Sequence, residues 1–397
     1  MLETTLDGVT ILDLTQNVAG PFCTQILGDM GAAVVKIERP GRGDDTRDWR
    51  PPEIAGLSAT FLSLNRGKRS LCIDLDRPDG VALLAELVAG ADVVIHSLKP
   101  GSAEQRGFGY EHLKAHNPRL IYCAISAFGR VGPLSGLPGY DPLMQAFTGV
   151  MSVTGQDGDD PVRVGVSLID IGTGMWSAIA IMAALMQRGK DGLGRLVETS
   201  LLETGIAWMT IPIAGYLASG KLPRKLGSGI AMTAPYELFR SADSHVFIAA
   251  GNDRLFERVC AALARPELAH DERFASNPAR VANRAALHAE IEAVTLAMTT
   301  AEAVRRLRAV GAPCSEMNDI AQALAHDQVR AAAMLEPLPV TGASAHQVVA
   351  LPIKMNGARA ATAAAPPALG ADTDAVLAAF GHPAEDIARL RARGVVA

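Results

Sequence analysis

The first third of the chain alternates short apolar runs with segments of helical periodicity. Strands are predicted at residues 9–14, 34–38, 71–74, 92–96 and 120–125, with helices at 22–30, 80–89 and 111–116. A repeated strand–helix–strand order favours parallel strands, because each crossover helix returns the chain to the same end of the sheet. The sequence therefore predicts an α/β fold around a parallel sheet.

The remainder of the chain is predicted to be mainly helical, with a linker and a smaller second domain. The predicted elements are alanine-rich helices at 172–217, a linker at 219–229, a strand at 244–250, helices at 253–264, 282–298 and 300–310, an Ala- and Pro-rich extended segment at 357–367, and tail helices at 373–379 and 384–393.

The composition excludes several classes of protein. Lys and Arg total 37 and Asp and Glu total 42, a net charge of −5 without a basic tract, which argues against a nucleic-acid partner. The apolar fraction of 49% is too high for a disordered chain. No secretory signal is visible, and the longest apolar runs, such as 175–186, are shorter than the roughly 20 residues of a membrane span.

The cysteines and histidines indicate a reducing compartment and no metal site. The five cysteines are odd in number and widely spaced, which argues against a disulfide framework and predicts a cytoplasmic location. His112 and His116 are four residues apart, but they lie in a polar stretch without a third ligand nearby. An exposed helix face is therefore the favoured interpretation of this pair.

The N-terminal strand–helix–strand unit suggests a dinucleotide site. Glu38 ends the second strand 18 residues after Gly20, near the spacing of an acid that binds a ribose. The loop at 15–21 has one glycine where the dinucleotide fingerprint has three. A βαβ core unit without a nicotinamide cofactor is therefore favoured.

Three loops that carry cations follow predicted strands or precede them. They lie at 39–47, 65–70 and 99–107, and each contains glycine. Ligands of α/β sheets bind at the carboxyl ends of the strands, and guanidinium groups match phosphate oxygens. The loops predict a polyphosphate ligand, with solvated turns as the alternative, and the absence of a Gly-Lys-Ser/Thr loop argues against phosphate chemistry.

Asp170 is the strongest candidate for a reactive group. It follows an apolar run and precedes Gly172, Gly174 and a predicted helix. One interpretation is a helix N-cap. The other is a nucleophilic carboxylate near backbone N–H groups that stabilise an oxyanion, with the glycines leaving room for substrate. A second acid, Asp141, precedes Pro142 and fits an Asx turn, and no Gly-x-Ser-x-Gly elbow is present.

The order and spacing of several motifs resemble the class III CoA-transferases, the family of formyl-CoA transferase and carnitine CoA-transferase. The resemblance runs from Gly8 to the C-terminus. Its motifs are Ala19-Gly20-Pro21, residues 31–39 with Lys36-Ile37-Glu38, 65–70, 140–155, Asp170 with Gly174, 233–236 and 311–314.

The resemblance implies a large Rossmann-like domain built from residues 1–218 and 326–397, and a linker with a small α+β domain at 219–325. It also implies an interlocked homodimer, each chain threading an opening in the other. The substrates would be an acyl-CoA and a small carboxylic acid, without a permanently bound cofactor, a metal, a nucleic acid or a membrane. Asp170 would attack the acyl-CoA and pass through an anhydride and an aspartyl-CoA thioester.

The resemblance also assigns ligand contacts. It places Arg39, Lys68, Arg69, Arg106 and Asp141 in the CoA-binding set. Two family positions differ, since a basic residue is replaced by Gln105 and an Asn by Ser97.

The predicted acceptor is a C4–C5 dicarboxylic acid, with succinyl-CoA as donor and itaconate as the favoured acceptor. Residues 44–52 resemble a loop of members that handle such acids, so Arg47 or Arg50 is expected to bind the distal carboxylate. Val18 replaces a family Gln, which argues against formyl or oxalate substrates. Val18 and Tyr140 complete the predicted substrate set.

Two alternatives remain at this point. An α-methylacyl-CoA racemase shares the fold, but its catalytic His would fall at Tyr140, and tyrosine is a poor base near neutral pH. A non-catalytic CoA-binding dimer is the other alternative, and the retention of Asp170 argues against it.

Overall fold

The computed structural model describes residues 1–343, 346–361 and 364–397, which divide into two compact units. The first unit contains residues 1–150, 164–211 and 331–397, and the second contains 151–163 and 212–330. The domain boundaries predicted from the sequence lie at 218/219 and 325/326. That prediction kept residues 151–163 in the large domain, whereas the structure groups them with the second unit. Two residues of the predicted extended segment, 362 and 363, lie outside the described residues.

The described strands and helices match most of the predicted ones to within three residues at each end. The strands are β1 (Thr10–Leu14), β2 (Ala33–Glu38), β3 (Glu53–Ile54), β4 (Leu57–Ser58), β5 (Arg69–Cys72), β6 (Val93–His96), β7 (Ile121–Ser126), β8 (Arg195–Ser200), β9 (Tyr236–Arg240), β10 (His245–Ala249), β11 (Cys314–Glu316), β12 (Leu335–Pro337) and β13 (Gln347–Val349). The helices are α1 (Ala19–Asp29), α2 (Ala59–Asn65), α3 (Pro78–Ala89), α4 (Ser102–Gln105), α5 (Tyr110–His116), α6 (Asp141–Phe147), α7 (Val150–Val153), α8 (Leu168–Asp191), α9 (Leu201–Trp208), α10 (Thr210–Ser219), α11 (Asp253–Ala262), α12 (Asn277–Ala282), α13 (Arg284–Thr295), α14 (Thr300–Ala309), α15 (Ile320–Ala325), α16 (Asp327–Ala331), α17 (Thr373–Ala379) and α18 (Ala384–Ala392).

The first unit is built on a parallel sheet in the order β5-β2-β1-β6-β7-β8. Numbered along the chain within this sheet, the order is 3-2-1-4-5-6, which is the doubly wound order of Rossmann folds. The predicted parallel α/β sheet is confirmed. The strand order reverses between β1 and β6, and ligands of such folds bind at this switch point.

Side chains on successive strand positions enter two different cores. Leu12 and Val35 join a core with α3 and α5, whereas Ile11 and Val34 join a core with α1 and α8. Alternation of this kind follows from the pleat, and burial on both faces explains why these strands are apolar throughout. The sheet is thereby fixed from both sides, and the loops at its carboxyl edge are held in register.

Helix α8 is long and apolar enough to cross a membrane by length and composition, and α9 with α10 would meet the same criterion as a bent pair. The sequence expectation concerned uninterrupted apolar runs, whereas this criterion averages hydropathy along a helix. In the first unit, one face of α8 packs against α1, and its buried residues Ala178, Ile181 and Ala184 join the core beneath the sheet. Core helices of globular domains meet the same criterion.

The second unit contains an antiparallel sheet in the order β11-β10-β9, covered by helices that include α11, α13 and α14. Arg280 is fully buried in it and donates to the carbonyl oxygens of Ala234 and Phe274 and to Asp253 at 2.7–2.9 Å. A buried guanidinium is tolerated because each end of its fork is hydrogen-bonded.

Candidate active site

A cavity of about 200 Å3 lies at the switch point of the sheet. Its walls come from residues 16–19 after β1, residues 97–100 after β6, residues 125–127 at the end of β7, and residues 137–140. Trp49, Asp170 and Leu201 complete the lining. The carboxyl ends of parallel strands thus converge on one concave site that contains a carboxylate, and we call it the switch-point cavity.

Asp170 enters this cavity from the first turn of α8. Its side chain is partly buried, and burial is the main cause that raises the pKa of the carboxyl to about 7. The negative charge of Asp141 raises it further. A carboxylate with a pKa near neutrality in a cleft is a candidate nucleophile or base.

Asp141 holds the start of α8. Its side chain is buried and accepts from the backbone N–H groups of Ile169 at 2.6 Å and Asp170 at 3.2 Å, and from the Gln145 amide at 2.6 Å. Ser167 at the N-cap supplies no side-chain cap, so Asp141 performs that function from α6. These contacts are those of a positioning residue, and Asp141, which was predicted to bind CoA, lines neither this cavity nor the smaller one beside it.

Gly172 and Gly174 of α8 serve helix packing, contrary to the prediction that they leave room for substrate. A Cβ at Gly172 would lie 2.7–2.9 Å from the indole of Trp208. A Cβ at Gly174 would lie 2.6 Å from the carbonyl oxygen of Ala19 at the start of α1. Helices α8 and α1 can therefore approach closely, and Asp170 comes near the N-terminus of α1.

The N-terminus of α1 supplies free hydrogen-bond donors to the cavity wall. Val18 and Ala19 line the cavity, and within the described residues the N–H groups of Val18, Ala19 and Gly20 donate to no protein acceptor. The positive end of the helix dipole lies here as well. In contrast, the N–H groups of Ile169 and Asp170 are already bound by Asp141. The donors available to an oxyanion are therefore those of α1, whereas the sequence suggested N–H groups near Asp170 at the start of α8.

A second, smaller cavity of about 50 Å3 adjoins the first and shares Gln16 and Leu98 with it. Arg39 and Arg106 line this flanking cavity. Arg39 contacts Asp45, and Arg106 contacts Asp76, each at 3.2 Å in exposed pairs. Exposed ion pairs contribute little, so a phosphate can displace these carboxylates.

A family model described as CoA-transferase family III matches residues 6–373. The chain belongs to CoA-transferase family III. A succinyl-CoA:glutarate CoA-transferase of Mus musculus is 40% identical over 324 residues, covering 82% of this chain and 74% of that protein. A succinyl-CoA:mesaconate CoA-transferase of Haloarcula marismortui is 37% identical over 360 residues, covering 88% and 90%. A CAIB/BAIF family protein from Brucella suis of known crystal structure is 38% identical, with a TM-score of 0.84 over 94% of this chain and 99% of that one.

The two arginines expected to bind the acceptor of this family III CoA-transferase lie outside the switch-point cavity. Arg47 forms a bidentate pair with buried Glu38 at 2.7 and 2.8 Å and lies over the ring of Phe61. Arg50 is exposed and contacts Asp48. The same pairing occupies Glu38, which therefore is not free to bind a ribose. The predicted 44–52 loop reaches the cavity through Trp49 instead.

Lys68 and Arg69 are also not brought to either cavity. Lys68 is buried, and its ammonium donates to Asp13 at 3.1 Å, to the carbonyl of Pro21 at 2.9 Å and to Asn65 at 2.8 Å. Its three donors are thus used within the protein, and burial lowers the pKa of Lys68 to about 8. Arg69 pairs in register with Val35, at the middle of β2 and away from the carboxyl edge.

Three predicted site residues lie together in one cavity. Val18 and Tyr140 line the switch-point cavity with Asp170, and Tyr140 is largely exposed. Sequence reasoning noted Lys99 only as one cation of a loop, yet it is the cationic side chain of the cavity lining. Within the described part of the chain, no group of three or more His, Cys, Asp or Glu side chains could hold a metal ion.

Proposed function

We propose that this CoA-transferase moves CoA from succinyl-CoA to a C4–C5 dicarboxylic acid such as glutarate, mesaconate, citramalate or itaconate, with Asp170 as the nucleophile. The observation that carries the proposal is the partly buried Asp170 carboxylate in the cavity at the switch point. The substrates of the mouse and Haloarcula relatives support the class of acid.

The reaction needs one carboxylate and no external proton donor. Asp170 attacks the thioester carbonyl, the C–S bond breaks, and CoA thiolate leaves behind a mixed anhydride. The thiolate then attacks the Asp170 acyl carbon, which releases the donor acid and forms an aspartyl-CoA thioester. The acceptor carboxylate attacks this thioester, giving a second anhydride and thiolate. Attack of the thiolate on the acceptor carbonyl yields the new acyl-CoA and regenerates Asp170.

The free N–H groups at the start of α1 support stabilisation of the tetrahedral oxyanions in these steps. Donors fixed before the reaction stabilise developing charge without reorganisation. Val18 and Ala19 carry two of them into the cavity that contains Asp170. Asp141 orders the α8 end of the site and raises the pKa of Asp170.

The flanking cavity is the proposed binding site for CoA phosphates. Arg39 and Arg106 supply cations there, and guanidinium groups suit phosphate oxygens. Gln16 and Leu98 border both cavities, so the pantetheine arm would pass between them toward Asp170.

Lys99 is the proposed contact of the distal carboxylate, since Arg47 is engaged by Glu38 and Arg50 lies away from the cavity. Lys99 lines the cavity with Asp170, and a dicarboxylate bound through one end needs a cation for the other. Val18 presents an apolar wall to the methylene or alkene carbons between the carboxylates.

The enzyme is further proposed to act as an interlocked homodimer, with a large domain of residues 1–218 and 326–397 and a small domain at 219–325. Apolar side chains on the face of α8 turned away from the core support association. Met175, Trp176, Ile179 and Met186 are each between 43% and 72% exposed. A row of apolar side chains of this size on one helix face is typical of a protein–protein interface.

Hydroxylamine trapping tests the chemistry. With succinyl-CoA present, hydroxylamine should inactivate the enzyme and leave a hydroxamate on the peptide that contains Asp170. Asp170→Asn should neither exchange CoA nor form the adduct. A racemase or a non-catalytic CoA-binding protein would give no adduct, and a racemase would instead exchange the α-hydrogen of a branched acyl-CoA. CoA transfer to monocarboxylates in preference to every C4–C5 diacid would contradict the substrate class.

A further inference from the structure

Four charged side chains are buried directly beneath the wall of the switch-point cavity. Asp13, Lys36, Asp44 and Lys68 are between 0% and 4% exposed. We call them the buried charge network. Buried charges are costly unless they are paired and hydrogen-bonded, and replacing such a pair by apolar residues is often neutral or stabilising. Fold stability is therefore a weak explanation for two buried lysines beside one site.

One half of the network ties the β1 end to the first turn of α1. Asp13 accepts from the backbone N–H of Thr15 at 2.9 Å and from the hydroxyl of Thr24 in α1 at 2.6 Å. Lys68 donates to the same carboxylate and to the carbonyl of Pro21. Asp13 and Lys68 thus connect the end of β1 to α1 across the loop that carries Val18.

The other half fixes the loop itself. Lys36 donates to the carbonyl of Thr15 at 2.9 Å and lies 2.8 Å from the Asp44 carboxylate. Asp44 in turn accepts from the backbone N–H of Asn17 at 3.2 Å. Asn17 has φ of 68°, a left-handed conformation that non-glycine residues adopt at an energetic cost. Such a conformation persists when its surroundings impose it.

From these contacts we infer that Asp13, Lys36, Asp44 and Lys68 are positioning residues of the transferase. Their bonds use the backbone groups of Thr15 and the N–H of Asn17, and they fix the loop that leads to Val18 and Ala19, which line the cavity with unbound N–H groups. Donors held at fixed positions are what oxyanion stabilisation requires. The catalytic role of these N–H donors rests on the proposed function, whereas the claim that the network orders the loop does not.

The chain offers a matched control at the opposite end of the same helix. Arg66, two residues before Lys68, is also buried and pairs with Asp29 at the C-terminus of α1, with Nε 3.3 Å from the carboxylate. Arg66 and Lys68 both lie in the short segment between α2 and β5, and each anchors one end of α1. Lys68 anchors the end at the cavity, and Arg66 anchors the end away from it.

The test compares Lys36→Met and Lys68→Met with Arg66→Met in the full-length enzyme. Melting temperature, kcat and KM for succinyl-CoA are measured, together with amide hydrogen exchange by mass spectrometry. Lys36→Met and Lys68→Met should lower kcat at least about tenfold and change KM less than about threefold, because transition-state contacts are lost and ground-state binding is kept. Exchange should accelerate in peptides that cover residues 15–20.

Arg66→Met should lower the melting temperature, keep kcat within about threefold of the unmutated enzyme, and accelerate exchange near residues 26–30. If a methionine variant fails to fold, Asp44→Asn serves instead, since it removes the charge that pairs with Lys36 and weakens the acceptor for the N–H of Asn17. It should give the same kcat and exchange pattern.

An equal loss of kcat in Arg66→Met would overturn the inference, because a general loss of stability would then explain the effect. A rise in KM for succinyl-CoA in Lys68→Met without a fall in kcat would mean that Lys68 binds phosphate. Unchanged exchange at 15–20 in both lysine variants would also overturn it. Activity retained in Asp170→Asn would contradict the proposed site, and this result is separate from the exchange pattern.

Discussion

As the proposed nucleophile, Asp170 must lose its proton before it can attack a thioester, so its raised pKa is expected to set the acid limb of the activity. Below about pH 7 the carboxyl is largely protonated and inactive, and above it the anion prevails. We expect kcat/KM for succinyl-CoA to rise with an apparent pKa of about 7. A nucleophile with a pKa near the working pH keeps more of its basicity than an ordinary aspartate while still being ionised.

Asp141→Asn tests the cause of this shift. Removing the neighbouring negative charge should move the acid limb to lower pH, toward the usual range of an aspartate, although burial still holds the pKa up. The plateau kcat should fall, because an amide oxygen caps α8 less strongly than a carboxylate. Glu111→Gln, on an exposed helix outside both cavities, is the control. An acid limb that stays in place would show that burial alone raises the pKa.

Lys99 should set the preference for a second carboxylate. With succinyl-CoA as common donor, Lys99→Met is expected to lower the ratio of kcat/KM for glutarate to that for valerate about tenfold or more, because the distal carboxylate loses its cationic partner in the cavity. Lys99→Arg should keep most of the preference. An unchanged ratio together with a raised KM for every CoA donor would instead place Lys99 at the CoA phosphates.

The predicted site residues that line the switch-point cavity differ in kind from those that lie outside it. Asp170, Val18 and Tyr140 follow motifs whose backbone position fixes them at the carboxyl edge. Lys68 and Arg47 were predicted to contact CoA and the acceptor acid, because Lys and Arg are rarely buried and were therefore expected to be available to ligands. Their partners, Asp13 and Glu38, are on other strands. Such pairings depend on strand order, which local periodicity does not reveal.

The inner strands of the parallel sheet were predictable because they are buried on both faces and are therefore apolar throughout. Strand β8 was missed, because Arg195–Ser200 is a partly exposed edge strand that mixes Arg, Glu and Thr with two apolar residues. Its pairing with β7 supplies the order that its sequence lacks. Helix α1 starts three residues before the predicted start, since Pro21 lies in the first turn, where a missing N–H breaks no helical bond.

The contact between α8 and α1 predicts a sharp difference between two glycines of one helix. Gly174→Ala should lower the free energy of unfolding by about 2 kcal/mol, because the new methyl group would meet the backbone of Ala19 and Cys23. Gly189→Ala in the same helix has nothing within 4 Å and should be neutral or stabilising by up to about 1 kcal/mol. Chemical denaturation measures both.

Activity adds a second measurement to this comparison. Gly174→Ala should also reduce kcat, since separating α8 from α1 moves Asp170 away from the N–H groups of α1. Gly189→Ala should leave kcat unchanged. Equal stability of the two variants would mean that the helices are not in close contact at Gly174.

At the scale of the whole molecule, the net charge of −5 conceals an uneven distribution of cations. Lys36 and Lys68 are buried beside Asp13 and Asp44, so they add nothing to the field outside the protein. The flanking cavity therefore depends on Arg39 and Arg106, whose ion pairs with Asp45 and Asp76 are exposed. Composition gives only the net charge, whereas strand order determines which cations line a cavity.

An interlocked dimer predicts that subunits cannot exchange without unfolding. The native enzyme should have twice the 41.6 kDa mass of one chain by light scattering. Tagged and untagged dimers that are purified separately and mixed should form no mixed dimer, because each chain must open before the other can leave, and exchange is then limited by the unfolding rate. Co-expression of both forms is the control and should give mixed dimers. If mixed dimers form from the separately purified proteins faster than the chain unfolds globally, the dimer is not threaded. A monomeric mass would rule out the dimer itself.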